Sequence, residues 1–367
     1  MKVPDRRNIS IRAWLEALAT DTGAFKLAGL VPAAGNGRPA PSIDYVATLL
    51  PAGSRKAIKL NVLTRSRFTP REAVALANDS SAVNAGSGAL LIACPAISPR
   101  AAAICRRHGV GYLDQAGNCD IRAPGLALHV DGRPPAARDT RPLSTPFAPK
   151  AGRVARLLLS SPTRTWKVQD LARQGRISLG LASKAKNALV EQAYVVVDGG
   201  RLRLADPAAL LMAWSAVYRP PYQRTNLYVM QEPEEIELAV AAWCEQNDVT
   251  FGLAEYAGAW RLAPMVRYRQ PSVAVLESGA TDIVRGIQIS LDAKSAVSGS
   301  NLVILSTGDE SVFFDILEVG RVRVLSPLQH YLDLHAQPGR GREAAQEILH
   351  RLLIPSWKAV SADGGRQ

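Results

Sequence analysis

The residues with the most chemistry to offer lie in one stretch, from Gln174 to Pro207. Ser178, Ser183, Lys184, Lys186 and Asn187 are short polar or cationic groups on a segment whose apolar positions Leu181, Ala185, Ala188 and Leu189 repeat with helical spacing. Hydroxyl and ammonium groups donate to phosphate oxygens, and an asparagine can pair with two edge atoms of an adenine. Arg201 and Arg203 follow at alternate positions of RLRLA, so both guanidinium groups leave one face of a strand. Arg153, Arg156, Arg164 and Lys167, just upstream, are expected to flank the same surface. Together these residues make the contact set expected for a polyanion, and double-stranded DNA is the expected partner.

Other groupings offer weaker chemistry. A metal-dependent nuclease needs a carboxylate at the end of one strand and an E-x-K on the next, to hold a divalent ion and polarise water. Asp44 supplies a first acid, but KAIKLNV has Ala57 where the second belongs, ahead of Lys59. Much of the charge that holds Mg²⁺ is therefore missing. Lys56, Lys59, Arg65 and Arg67 remain as cationic surface. In GYLDQAGNCDI, Asp114, Asn118 and Asp120 crowd a loop. It reads as a turn in which Gly117 takes positive φ and Asn118 bonds backbone, with a small polar site as the alternative. VSGSNLVILSTGDESVFFD sets Asp309 and Asp315 at a spacing other than the D-x-D that puts two carboxylates on one strand face. His330 and His335 are five apart, a poor spacing for two ligands on one helical face. No catalytic residue, metal ligand or cofactor is expected.

The elements that must position the polar stretch follow from pattern. Val154, Leu157 and Leu158 form the stripe of a first helix, and TWKVQDLARQG a short second one with Thr165 as N-cap. The third helix starts at Ser178, and YVVVD-GG-RLRLA is two alternating strands about a Gly-Gly turn. Three helices and a hairpin, in that order, are those of a winged helix-turn-helix over 152–207.

On either side lie strands mixed with helices. Residues 1–132 open with an amphipathic helix around Ile11–Leu18 and continue with strand-like runs at 43–50, 56–63 and 89–97. Residues 133–151 are a proline-rich linker, since GRPPAARDTRPLSTPFAPKAG cannot continue a helix or a central strand. Residues 208–357 combine helices such as PEEIELAVAAWCEQND and REAAQEILHRLL with strands near SVAVLE, IQISLD and NLVILST. The fold class expected is α/β (mixed), and 358–367 is a tail.

Charge divides along the same lines. The 367 residues carry a net +12, but 1–149 hold +9, 150–205 hold +8 with 11 Lys/Arg against 3 Asp/Glu, and 206–357 hold −6. A basic middle beside an acidic block suggests a polyanion for one and a different partner, a protein, for the other. A hydrophobic share of 47% and a mean hydropathy of −0.01 go with a soluble chain. No run approaches the ~20 apolar residues a membrane helix needs, so no membrane partner is expected. The N-terminus has no long apolar stretch before its first acids, and the four scattered cysteines form no CxxC pair. A cytoplasmic protein with reduced thiols is expected.

GYLDQAGNCDI, the middle block, and HYLDLHAQPGRGREAAQEILHRLL together resemble the AbiEi-type antitoxins and transcriptional regulators of type IV toxin–antitoxin systems. The resemblance covers most of residues 85–353. It implies a sequence-specific DNA-binding regulator, with a nucleotidyltransferase-type toxin as a further partner for the acidic block. The shortest members of that family place the winged helix first, whereas here about 150 residues precede it. Those residues resemble a restriction-endonuclease-like domain, degenerate because of Ala57. The competing functions are an antitoxin that neutralises a nucleotidyltransferase toxin by binding it, and a metal-dependent DNA nuclease.

Overall fold

The computed structural model describes residues 6–33, 43–79, 88–134, 146–264, 267–277 and 282–359. Most of the expected linker and tail, 135–145 and 360–367, lie outside the described residues. The fold is mixed α/β and divides into two units: Met1–Ser144 with Ala188–Ala193, and Thr145–Asn187 with Tyr194–Gln367. The second and third sequence blocks thus share one unit, apart from 188–193.

The first unit is a seven-stranded sheet in chain order: β1 (Phe25–Pro32), β2 (Tyr45–Pro51), β3 (Ile58–Thr64), β4 (Ala89–Cys94), β5 (Gly111–Asp114), β6 (Cys119–Ala123) and β7 (Leu126–Val130). The outer strands run antiparallel, and β3, β4 and β5 run parallel. Parallel neighbours need crossovers. Helices α2 (Pro70–Asn78) and α3 (Pro99–Arg107) supply them, each with proline in its first turn and a hydroxyl cap, Thr69 and Ser98. The central strands are covered on both faces, which explains their unbroken apolar runs. Val62, Leu91 and Leu113 pack toward α1 (Arg6–Thr22) through Ile11, Leu15 and Leu18. Their chain neighbours Leu63, Ile92 and Tyr112 pack toward Ala73, Ala101 and Cys105. β1 is not among the expected strands. Only its Phe25 and Leu30 are buried, so it lacks the alternation that marks a half-buried strand.

The second unit begins with α4 (Gly152–Ser160), α5 (Val168–Gln174), α6 (Leu179–Glu191) as far as Asn187, and the hairpin β8 (Val195–Asp198)–β9 (Arg201–Leu204). After α7 (Pro207–Val217) comes a second seven-stranded sheet. Its strands are β10 (Gln223–Tyr228), β11 (Phe251–Ala254), β12 (Ser272–Leu276), β13 (Lys294–Ser295), β14 (Leu302–Thr307), β15 (Leu317–Val319) and β16 (Val322–Val324), in the order β13-β10-β14-β12-β11-β16-β15. Helices α8 (Pro233–Gln246), α9 (Glu255–Leu262), α10 (Ile283–Ser290), α11 (Pro327–His335) and α12 (Arg340–Ile348) accompany it, and α13 (Ile354–Ala359) follows. IQISLD is not a strand but the end of α10 and the turn after it. Asp282 caps that helix through the Arg285 N–H, and Ile283 and Ile287, four apart, are its buried face. The period is helical, although the residues are β-branched.

Candidate nucleic-acid interface

Segment 152–204 is built around a buried tryptophan. Trp166, 1% exposed, exchanges backbone hydrogen bonds with Leu202 (N–H to O, 2.9 and 2.8 Å), so the hairpin gains a third, one-residue strand. That bridge occupies the position expected to begin the second helix. α5 starts only at Val168, preceded by Lys167, and Thr165 is not its cap. Ser178 does cap α6, its Oγ accepting the Leu181 N–H at 3.2 Å. Arg176, in the turn before it, takes φ of 51° and pairs with Glu310 at 2.7 Å.

α6 buries Ala182, Ala185, Ala188 and Leu189 and leaves Gly180, Lys184 and Asn187 exposed along one stripe. Leu181, expected inside, is half-buried, and Ala182 takes its place. Ser183 lies beside the exposed stripe, half-buried. Lys186 does not share Lys184's direction: two residues span about 200° of a helix, and Lys186 is half-buried on the flank. Ser178, Arg164, Lys167, Arg201 and Arg203 are exposed. The Arg164 guanidinium lies 4.0 Å from the Trp166 ring centroid, a cation–π contact that holds it on the surface of this segment. Among the described residues Lys167, Lys184, Lys186, Arg201 and Arg203 make no ion pair, whereas Arg173 pairs with Asp170 and Arg176 with Glu310.

Arg153 and Arg156 are a correction. Their sequence positions suggest that they flank a duplex; both are buried, 8% and 3% exposed. Every residue of α4 from Gly152 to Leu159 is buried, because the acidic block covers the face that its own helical segment leaves open. Arg153 donates to Asp309 (3.1 Å) and to the Gly175 carbonyl (3.2 Å). The Arg156 guanidinium lies 5.3 Å from the Trp214 ring centroid. Arg153 ties these helices to the segment after β14 and Arg156 lies against α7, so neither cation can reach a phosphate.

The remaining candidate groups are used internally. Asp44 accepts the Thr64 N–H (2.7 Å) and hydroxyl (2.8 Å), while Lys59 pairs across the hairpin with Thr48. Four residues of strand, about 13 Å, separate Thr48 from Asp44, so the expected acid and lysine are not brought together. Asp114 accepts the Asn118 N–H and Nδ2 (both 2.9 Å), Asn118 bonds the Arg133 backbone, and Gly117 takes φ of 88°. These groups line a cleft of about 490 Å³, but the loop's polar atoms are spent in closing the turn. Asp120 is bound by Arg122 at 2.8 Å. Asp309 serves Arg153 and the Ser311 N–H, and Asp315 lies beyond it at φ 57°. His335 stacks on Tyr331, and His330 is fully buried, which pushes its imidazole down to about 3.

Asp333 and Glu237 are buried carboxylates that gave no signal in the sequence. Asp333 accepts both the Tyr218 (2.8 Å) and Tyr222 (2.7 Å) hydroxyls and the Gln329 Nε2 (2.8 Å). Burial still raises it to about 6. Glu237, on the acidic helix α8 expected to face solvent or a partner, turns inward to Arg261 (2.6 Å) and Tyr268, while Glu234 and Glu235 stay exposed or nearly so. Nothing in their spacing distinguishes them from surface acids. No helix among the described residues is long and apolar enough to cross a membrane. No family model matches the chain, and neither a curated protein nor a solved structure matches it.

Proposed function

We propose that the chain is a sequence-specific double-stranded-DNA-binding transcriptional regulator of the AbiEi-like kind, reading DNA with a winged helix-turn-helix over 152–207. The observation that carries this is a cluster of cations left without acids. Lys167, Lys184, Arg201 and Arg203 are exposed in one short segment and make no ion pair among the described residues, while the neighbouring Arg153, Arg173 and Arg176 are neutralised. Unneutralised surface cations repel one another and gain most from a polyanion. The helix order and the Trp166–Leu202 bridge support the wing assignment, with α6 as the groove helix and β8–β9 as the wing. Ser178, Ser183 and Asn187 are then the candidate base-edge donors, and Lys186 a flanking phosphate contact.

In this reading the first unit is a restriction-endonuclease-like domain without catalysis. The three-strand meander β1–β3, then α2 and parallel β4, supports the shape, and the separation of Asp44 from Lys59 counts against metal-dependent cleavage. The protein acts in the cytoplasm without a cofactor. The acidic block, with Glu234 and Glu235 on its surface, suits a protein partner such as a nucleotidyltransferase-type toxin. The test is selection of duplexes from a random-sequence pool by the full-length protein, followed by titration of the enriched duplex and a scrambled one. Enrichment of a defined site is expected; equal affinity for both duplexes, or none, would overturn the reading.

A further inference from the structure

We infer that the first turn of α6, at Leu179 and Gly180, is the point of closest approach to the duplex: Gly180 lets the helix end enter a groove, and Leu179 contacts a thymine methyl. This rests on the DNA-binding reading above.

Five glycines lie inside helices among the described residues. At three of them the protein itself fills the space a methyl would need. An added Cβ would lie 2.2 Å from His330 Cε1 at Gly258, 2.2 Å from Trp243 Cζ2 at Gly286 and 2.5 Å from the Leu334 carbonyl at Gly341. At Gly152, a buried position, it would make ordinary contact with Trp214 at 3.5 Å, so a methyl fits there. At Gly180 it would meet nothing within 4 Å, and the residue has no positive φ. Neither packing nor backbone geometry calls for glycine there, yet glycine weakens a helix relative to alanine. The open space beside Gly180 is available to a molecule outside the chain.

The neighbours agree. Leu179 is 53% exposed beside it, off the buried stripe of Ala182, Ala185 and Leu189. Lys184 and Asn187 continue the line of Gly180 along the helix. The N-terminal residues of a groove-bound helix are those that reach base edges. Of the major-groove groups, the thymine C5 methyl is the one an aliphatic side chain recognises.

The test uses full-length protein and duplexes that the wild type has enriched from a random pool. Gly180→Ala should raise Tm by about 1–2 °C, since alanine restricts the unfolded chain. The same variant should bind the enriched duplex about tenfold more weakly, because the methyl intrudes on a packed contact. Leu179→Ala should bind a scrambled duplex as wild type does and lose about tenfold of its preference for A·T over G·C at one position. Unchanged binding by Gly180→Ala overturns the inference and leaves the DNA reading standing. So does a lowered Tm, which would mean that the fold itself requires the glycine. Failure of the wild type to bind any duplex overturns the DNA reading instead.

Discussion

Cations of the same segment should respond to truncation in opposite ways, and the magnitudes follow from where the structure puts them. Lys184, Arg201 and Arg203 are exposed and make no ion pair among the described residues, so the triple alanine variant should unfold within about 0.5 kcal/mol of wild type. If each meets one phosphate, its loss removes about 0.9 from the slope of log affinity against log salt, or about 2.7 for three. Between 50 and 200 mM salt, wild type should therefore lose roughly 40-fold more affinity than the variant. Arg153→Ala is the counterpart. It leaves the Gly175 carbonyl without this donor and Asp309 without its cationic partner, though Asp309 still accepts the Ser311 N–H and keeps 23% of its side chain in water. A cost of about 3 kcal/mol, at the low end for breaking a buried pair, should lower Tm by about 6–12 °C. The salt slope of the folded variant should not change. Anisotropy titrations at four salt concentrations, with thermal melts of the same samples, measure both quantities. An unchanged slope in the triple variant refutes the assignment of these cations to phosphates; a flattened slope in folded Arg153→Ala refutes its burial.

Acid stability provides a second check, because two buried groups in α11 titrate with opposite sign. Asp333, raised from 3.8 to about 6, takes up its proton in the native state first, so its stabilising contribution is full below about 3.8 and is lost as pH rises through 6. His330, lowered from 6.5 to about 3, contributes stability above 6.5 that is lost as pH falls. The two nearly cancel between pH 4 and 6. Asp333→Asn should therefore make unfolding free energy steeper in pH there by about 1.4 kcal/mol per unit relative to wild type, and parallel denaturation curves across that range would contradict this. Gly258→Ala, whose methyl would lie 2.2 Å from the His330 ring, should cost several kcal/mol and give little folded protein, as circular dichroism melts would report. Purified protein with Mg²⁺ or Mn²⁺ should leave plasmid DNA uncut. Metal-dependent cleavage abolished by Asp44→Ala would restore the nuclease reading.

Local pattern is enough for much of this molecule. The Gly-Gly hairpin, the Ser178 cap and the Ala185–Ala188–Leu189 stripe of α6 are legible because turn chemistry, capping and helical period each act over a few residues. Charge surplus in 150–205 is likewise a property of the chain alone. What the sequence could not determine is which side of an element another element covers. Val154, Leu157 and Leu158 predict one buried face of α4, and they are buried, but the acidic block also covers the opposite face. That turns Arg153 and Arg156 from surface cations into internal ties, through partners such as Asp309 that lie more than 150 residues away. Register has the same non-local character. Asp44 precedes the strand that pairs with Lys59's, but the pairing of Thr48 with Lys59 puts Asp44 four residues further along, where it bonds Thr64 instead. Asp333 and Glu237 look like surface acids until Tyr218, Tyr222, Arg261 and Tyr268 converge on them. Spacing along the chain carries periodicity, which is local; burial, pairing and the shift of a buried acid depend on contacts between distant segments, and only the tertiary structure decides them.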